Sequence, residues 1–209
     1  MPTSAQFLGF LLAALLITVA PGPDNLMVLS MGASRGPRQG MAFGLGCASG
    51  CLSHTTLAVL GVSALIAATP WAFGLLRVCG GLYLLWLGWR ALHSRGALHM
   101  RLAAPAGNEA LSRLFVRGVL ANAVNPKVVL FFLSFLPQFV DASRGHVALQ
   151  MAVLGAVFTL QAAVLFALIG AFSGSIGARL RRDARLALWL DRIAGGVFVA
   201  LGLRLIAAR

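Results

Sequence analysis

Between Gln39 and Leu76 the chain runs for 38 residues without a formally charged side chain. A stretch like this cannot cover a water-facing surface. A helix of about 20 apolar residues, rising about 1.5 Å per residue, already crosses the roughly 30 Å of a bilayer's hydrocarbon. The run is long enough for one span, a turn near Thr69-Pro70 and the start of a second span.

The rest of the chain fits the same solvent. Of its 209 residues 59% are hydrophobic and 11% charged, against about 45–50% and about 25% in soluble domains. Disorder is excluded, because it needs low hydrophobicity. A soluble enzyme is excluded by the shortage of polar surface. At roughly 30–35 residues per helix and loop, about six spans fit. They fall near 4–31, 40–67, 71–92, 115–139, 147–174 and 188–207. The first is broken by Pro21-Gly22-Pro23 and the fourth by Asn125-Pro126. The N-terminal apolar run lacks a preceding Lys or Arg and is read as a retained span rather than a signal peptide.

The net charge of +12 would suit a nucleic-acid binder, but the basic residues flank spans. Loops 1–2, 3–4 and 5–6 share one side. That side carries Arg35, Arg38, Arg90, Arg95, Arg101, Arg113, Arg117, Arg179, Arg181, Arg182, Arg185 and Arg192. The other carries Arg144, Arg204 and Arg209. Basic loops stay cytoplasmic, so both termini are expected outside. A five-span chain with an interfacial end is the alternative, because the last segment is free of charge only over 193–203.

The two halves repeat each other. Arg77-x-x-Gly80-Gly81 followed by Leu87-Gly88-x-Arg90 matches Arg192-x-x-Gly195-Gly196 followed by Leu201-Gly202-x-Arg204. Ala33-Ser34-Arg35-Gly36 matches Ala142-Ser143-Arg144-Gly145, and each half opens with a proline-broken segment. Three spans per half is an odd number, so the second half is inverted. The expected fold is an all-α integral membrane protein of six transmembrane helices. They form two inverted three-helix repeats, over 1–92 and 114–209, joined by a cytoplasmic linker at 93–113. Inverted repeats with interrupted helices in matching positions are a construction of secondary transporters, and the interruptions mark the binding site.

When the breaks are aligned on Pro23 and Pro126, the next residues are Asp24 and Lys127. Asp24 is the one acid inside an expected span and away from its ends, since Asp191 lies at the start of the last one, and Lys127 is the chain's one lysine. A charge at mid-bilayer costs at least about 2.5–3.5 kcal/mol, so each is expected to face the interior and find a partner. The expected pairing is with each other. Proline frees the carbonyl one turn earlier, and Gly22 permits close approach. Asn25, Asn122 and Asn125 bring amides to the same depth. Such a site suits a zwitterion.

Pro21-Gly22-Pro23-Asp24-Asn25, with Asn122-x-x-Asn125-Pro126-Lys127 and the following Phe131-Phe132 and Phe135-Leu136-Pro137-Gln138-Phe139, resembles the LysE-type amino-acid exporters, in particular the homoserine/threonine efflux branch. The resemblance covers nearly the whole chain. It implies efflux of amino acids or close relatives across the bacterial inner membrane, driven by the proton-motive force, without a cofactor; an enzyme is not expected, because the sequence offers no catalytic constellation. It makes Asp24, Asn25, Asn122, Asn125 and Lys127 the candidate substrate and coupling site, shaped by Pro21, Gly22, Pro23 and Pro126. Burial raises a carboxyl pKa and a nearby cation lowers it, so Asp24 is the candidate proton carrier. The partners expected are an amino acid and the lipid bilayer, with no nucleic acid. Small-residue faces permit a homodimer.

His54, Thr55 and Gln161 are candidate pathway residues. Cys47, Cys51 and His54 share one helix face and have ligand types that suit a soft metal. Yet Gly44, Gly46, Ala48 and Gly50 beside them describe a close-packing face, and no metal site is assigned. An exporter of a metal ion or other small solute on the same fold is one alternative. A membrane thiol relay is another, although i,i+4 neighbours have Cβ atoms about 6 Å apart and a disulfide needs about 3.5–4.5 Å. Arg77 and Arg90, about 20 Å apart on one helix, are expected to snorkel to opposite interfaces.

Overall fold

The computed structural model describes residues 2–62, 70–94 and 109–207. Thr69, the linker residues 95–108 and Arg209 lie outside the described residues. Every regular element among the described residues is helical. Four helices are long and apolar enough to cross a membrane, and the number rises to six when each bent pair is counted as one span.

Helix α1, Ser4–Val19, starts at a capping box in which the Thr3 side chain and Gln6 satisfy each other's free backbone N–H groups. Pro21 and Pro23 end it, and α2, Pro23–Arg35, departs at 54°. Helix α3, Pro37–Leu57, continues through a π-helical turn at Ala58–Val62. Helix α4 is Pro70–Leu92. Helix α5, Leu111–Ala123, is followed after Asn125 by α6, Pro126–Leu130, at 51°. From α6 the chain runs on through a π-helical turn, Phe131–Phe135, and a 3-10 turn, Leu136–Phe139. Helix α7 is Val147–Ala171, α8 is Ser173–Arg182 and α9 is Ala184–Ala207.

Two boundaries differ from the sequence expectation. Helix α5 starts at Leu111, inside the stretch read as linker. The basic loop expected after the fifth span is instead the helix α8. Ile176 and Leu180 stand one turn apart on it and pack with Leu26 and Leu29 of α2, so four residues of spacing suffice to give α8 a buried stripe.

Glycine sets how closely these helices meet. Helix α3 lies against α2, α5 and α7. A Cβ on Gly40 would meet Gly32 Cα at 2.8 Å and Gly170 Cα at 3.1 Å, and one on Gly46 would meet Gly118 Cα at 3.1 Å. Helices α4 and α9 make the same kind of contact twice. A Cβ on Gly88 would lie 2.8 Å from the Gly195 carbonyl, and one on Gly81 would lie 3.0 Å from that of Gly202. Lipid offers apolar groups no drive to associate, so such backbone approach is a main source of helix adhesion in a membrane. Cys47 and Cys51 are free, buried and part of the same tight face of α3.

Aromatic rings fill the centre. Phe131 packs against Phe10, Phe132, Phe135 and Phe158, with ring centroids 5.2–6.2 Å apart. At one end of the bundle Glu109 accepts from Arg35 at 2.9 Å and Arg117 at 2.7 Å, tying the end of α2 to α5. Partial burial works against ionisation of Glu109, but the two guanidinium groups prevail and hold its carboxyl below the usual range.

Candidate functional site

The two breaks meet inside the bundle. Both prolines that follow them, Pro23 and Pro126, are exposed, whereas the next residues turn inward. Asp24 is 4% exposed and Lys127 6%. The expected contact between the two charges is not what the structure shows, because each is held by a neutral group of the opposite break. The Asn122 side-chain amide donates to Asp24 Oδ2 at 2.8 Å. Lys127 Nζ donates to the Ala20 carbonyl at 2.8 Å and lies 5.4 Å from the Phe198 ring. Neither residue belongs to the ion pairs among the described residues.

Helix ends explain this choice. The last carbonyls of α1 have no intrahelical partner and carry the negative end of its dipole. Ala20 offers one of them to the Lys127 ammonium. Thr18 offers another, which accepts from the Asn25 amide at 2.8 Å. Asp24 sits in the first turn of α2, where the dipole favours an anion. Gly22 keeps the clasp short, since a Cβ there would stand 3.0 Å from Lys127 Nζ. Asn125 caps α6 by accepting from the Lys127 backbone N–H at 3.1 Å.

A cavity opens between these groups. It is lined by Thr18, Asp24, Asn25, Cys51, Asn122 and Lys127 on its polar side, and by Ile17, Val128, Phe131, Phe158 and Phe166 on its apolar side. Its accessible volume of about 20 Å³ holds about one water molecule. An amino acid enters only if the walls move apart. Four of the five residues expected to bind or couple substrate line this cavity, while Asn125 shapes the break beside it.

The candidate pathway residues form an outer ring. His54 is 1% exposed, and its Nε2 lies 3.0 Å from the Asn122 carbonyl. That contact puts a proton on Nε2, while Nδ1 is buried with no hydrogen-bond partner among the described residues. Cys51 Sγ approaches Asn122 Oδ1 at 3.6 Å, so Asn122 is held on three sides. Gln161 donates to the Thr18 hydroxyl at 2.8 Å. Thr55 bonds the Cys51 carbonyl of its own helix, and its side chain fills the space beside Gly155.

Sequence reasoning missed Thr18, the Ala20 carbonyl, Phe158, Phe166 and Phe198. The available signal for Thr18 and Ala20 is that the two prolines end α1, which leaves its last carbonyls without intrahelical partners. The aromatic wall left none, since phenylalanines in apolar helices read as packing.

The sequence is similar to known proteins over nearly its whole length. The sequence model for "LysE type translocator" matches residues 15–209. The chain is 35% identical to the threonine efflux protein of Escherichia coli, with 97% of this chain and 98% of the relative covered. It is 32% identical to the leucine efflux protein of Enterobacter sp., over 96% of this chain and 94% of the relative. An uncharacterized membrane protein of Vibrio cholerae is 31% identical over 97% of each. No solved structure matches the chain significantly.

Proposed function

The chain belongs to the LysE type translocator family, and from that premise we propose that it is a secondary active exporter of amino acids, coupled to protons through Asp24. It would act in the bacterial inner membrane, with six spans and both termini outside. The observation that carries the reading is the double clasp, Asn122 on Asp24 and Lys127 on Ala20, around a small half-apolar cavity.

The clasp offers a zwitterion two exchanges. A substrate ammonium takes the place of Asn122 on Asp24 and of Lys127 on the α1 carbonyls. A substrate carboxylate then receives the released Lys127 ammonium and the Asn122 amide. Each exchange swaps one hydrogen bond for another, so neither charge is stranded during the cycle. The apolar wall of Ile17, Val128, Phe131, Phe158 and Phe166 would face the side chain, in keeping with relatives named for threonine and leucine efflux.

The same contact supports proton coupling. A proton taken up by Asp24 on the outer side neutralises the carboxylate and discharges the substrate ammonium. Release of that proton on the inner side restores the site for the next substrate. The inverted-repeat reading is supported by the nearly equal bends of 54° and 51°. It is also supported by the glycine contacts between α4 and α9, which pair the Gly-Gly motif of one half with the Leu-Gly motif of the other, in both directions.

The test is export of labelled threonine and leucine from cells expressing the protein, with and without a protonophore. Export that stops when the gradient collapses supports the reading. Export that continues unchanged removes the coupling, and no export of any amino acid tried removes the substrate class.

A further inference from the structure

Helix α8 is too short and too basic to span a bilayer, yet it is built into the bundle. Its apolar face is consumed internally: Leu180 is 2% exposed and packs with Leu26 and Leu29 of α2 and Ala187 of α9. Ser173, at its start, closes against Gly32 of α2 so tightly that a side chain on Gly32 has no room. The opposite face is exposed and cationic, with Arg179 and Arg182 on α8 and Arg185 in the first turn of α9.

The charge on that face is unmatched. None of these three arginines belongs to an ion pair among the described residues. The nearby Asp183 spends its carboxylate on the N-terminus of α9, accepting from the Arg185 N–H at 2.9 Å and the Leu186 N–H at 3.3 Å. Two exposed aromatic side chains bracket the patch, Phe172 before α8 at 59% exposure and Trp189 after it at 63%. The amphipathic ring of a tryptophan such as Trp189 settles at the headgroup level of a bilayer. A cationic face at that depth meets phosphate, and only anionic lipids bring net negative charge to balance it.

We propose that α8 and the first turn of α9 form a binding surface for the headgroups of anionic phospholipids, and that the bound lipid seats α2, the helix that carries Asp24 in its first turn. The surface gives the membrane a handle on the broken span through Leu180, Ile176 and Ser173. The proposal rests on membrane insertion and is independent of substrate and of proton coupling.

The test reads lipid contact directly. In a variant with Trp71, Trp86 and Trp89 replaced by Phe, Trp189 is the reporter. The protein is reconstituted into vesicles containing equal amounts of bromine on either phosphatidylglycerol or phosphatidylcholine. Quenching by brominated phosphatidylglycerol is expected to correspond to a preference on the order of a hundredfold, the magnitude that three arginines at a headgroup plane supply at about 1 kcal/mol each. Replacing Arg179, Arg182 and Arg185 together by Gln is expected to abolish the preference, and replacing them by Lys to retain it. Equal quenching by the two lipids, or a preference that survives the triple Gln substitution, would overturn the proposal. Since the reporter is fluorescence, a protein inactive in export still gives a decisive answer.

Discussion

At the first break the residue after the proline is an acid, and at the second it is a lysine. The two stand at the same register of similarly bent helix pairs, but their own helices treat them differently. Asp24 in the first turn of α2 suits the positive end of that helix, whereas Lys127 in the first turn of α6 opposes it. Lys127 therefore reaches out of its own half to the negative end of α1. Asp24 needs less from the other half and takes one amide from Asn122. Residues equivalent in sequence thus differ in dependence: the second break relies on the first for its charge, more than the reverse.

That asymmetry orders the expected effects of substitution. Lys127→Met should reduce export to background and also lower thermal stability. It strips the Ala20 carbonyl of its partner, and a buried unsatisfied group costs about 1–3 kcal/mol. A melting curve and an export assay on the same preparation check both parts. Asp24→Asn should cut export by roughly tenfold or more and remove its dependence on the proton gradient, with little change in melting temperature, because a neutral amide still fits beside Asn122. If Asp24→Asn were the more destabilising of the two, the asymmetry would be broken.

The residues just before the two prolines sharpen the comparison. Gly22 and Asn125 are equivalent in the alignment, but one gives room and the other gives a cap. Gly22→Ala places a methyl 3.0 Å from Lys127 Nζ. It is expected to lower export severalfold at nearly unchanged stability. Asn125→Ala removes the α6 cap and is expected to cost about 1 kcal/mol of stability, read by denaturation. The smallest effect belongs to Glu109→Gln, far from both breaks. The Glu109 pKa is depressed in the folded protein, so its stabilisation is present above the ordinary carboxylate pKa and fades as pH falls through the depressed value. The variant should lose the part of the acid-side decline in melting temperature that this group causes and differ slightly from the parent at neutral pH.

Much of this organisation is legible in the sequence, for identifiable reasons. The positions of the long apolar helices follow from charge-free length, and both breaks follow from proline. Asp24 and Lys127 stand out because charges are rare in apolar segments. The partners of those charges are another matter. Ala20 and Thr18 act through backbone carbonyls, whose availability depends on where α1 ends and not on their side chains. The Asp24–Lys127 pairing suggested by opposite charge gave way because a helix terminus and an amide lay closer to each. The arginines of helix α8 dominate its composition and suggest a loop, although Ile176 and Leu180 at i,i+4 carry the amphipathic signal. The wall formed by Phe158 and Phe166 depends on how α7 lies against the breaks, which no local pattern encodes.

The central claim is that the carboxylate held between the two breaks carries the proton that drives amino-acid export. Proteoliposomes loaded with labelled threonine or leucine and given an imposed pH gradient test it, comparing the parent with Asp24→Asn. The account predicts gradient-driven transport in the parent and transport insensitive to the gradient, or none, in the variant. Asp24→Asn transport at the parental rate with the same dependence on the gradient would contradict it.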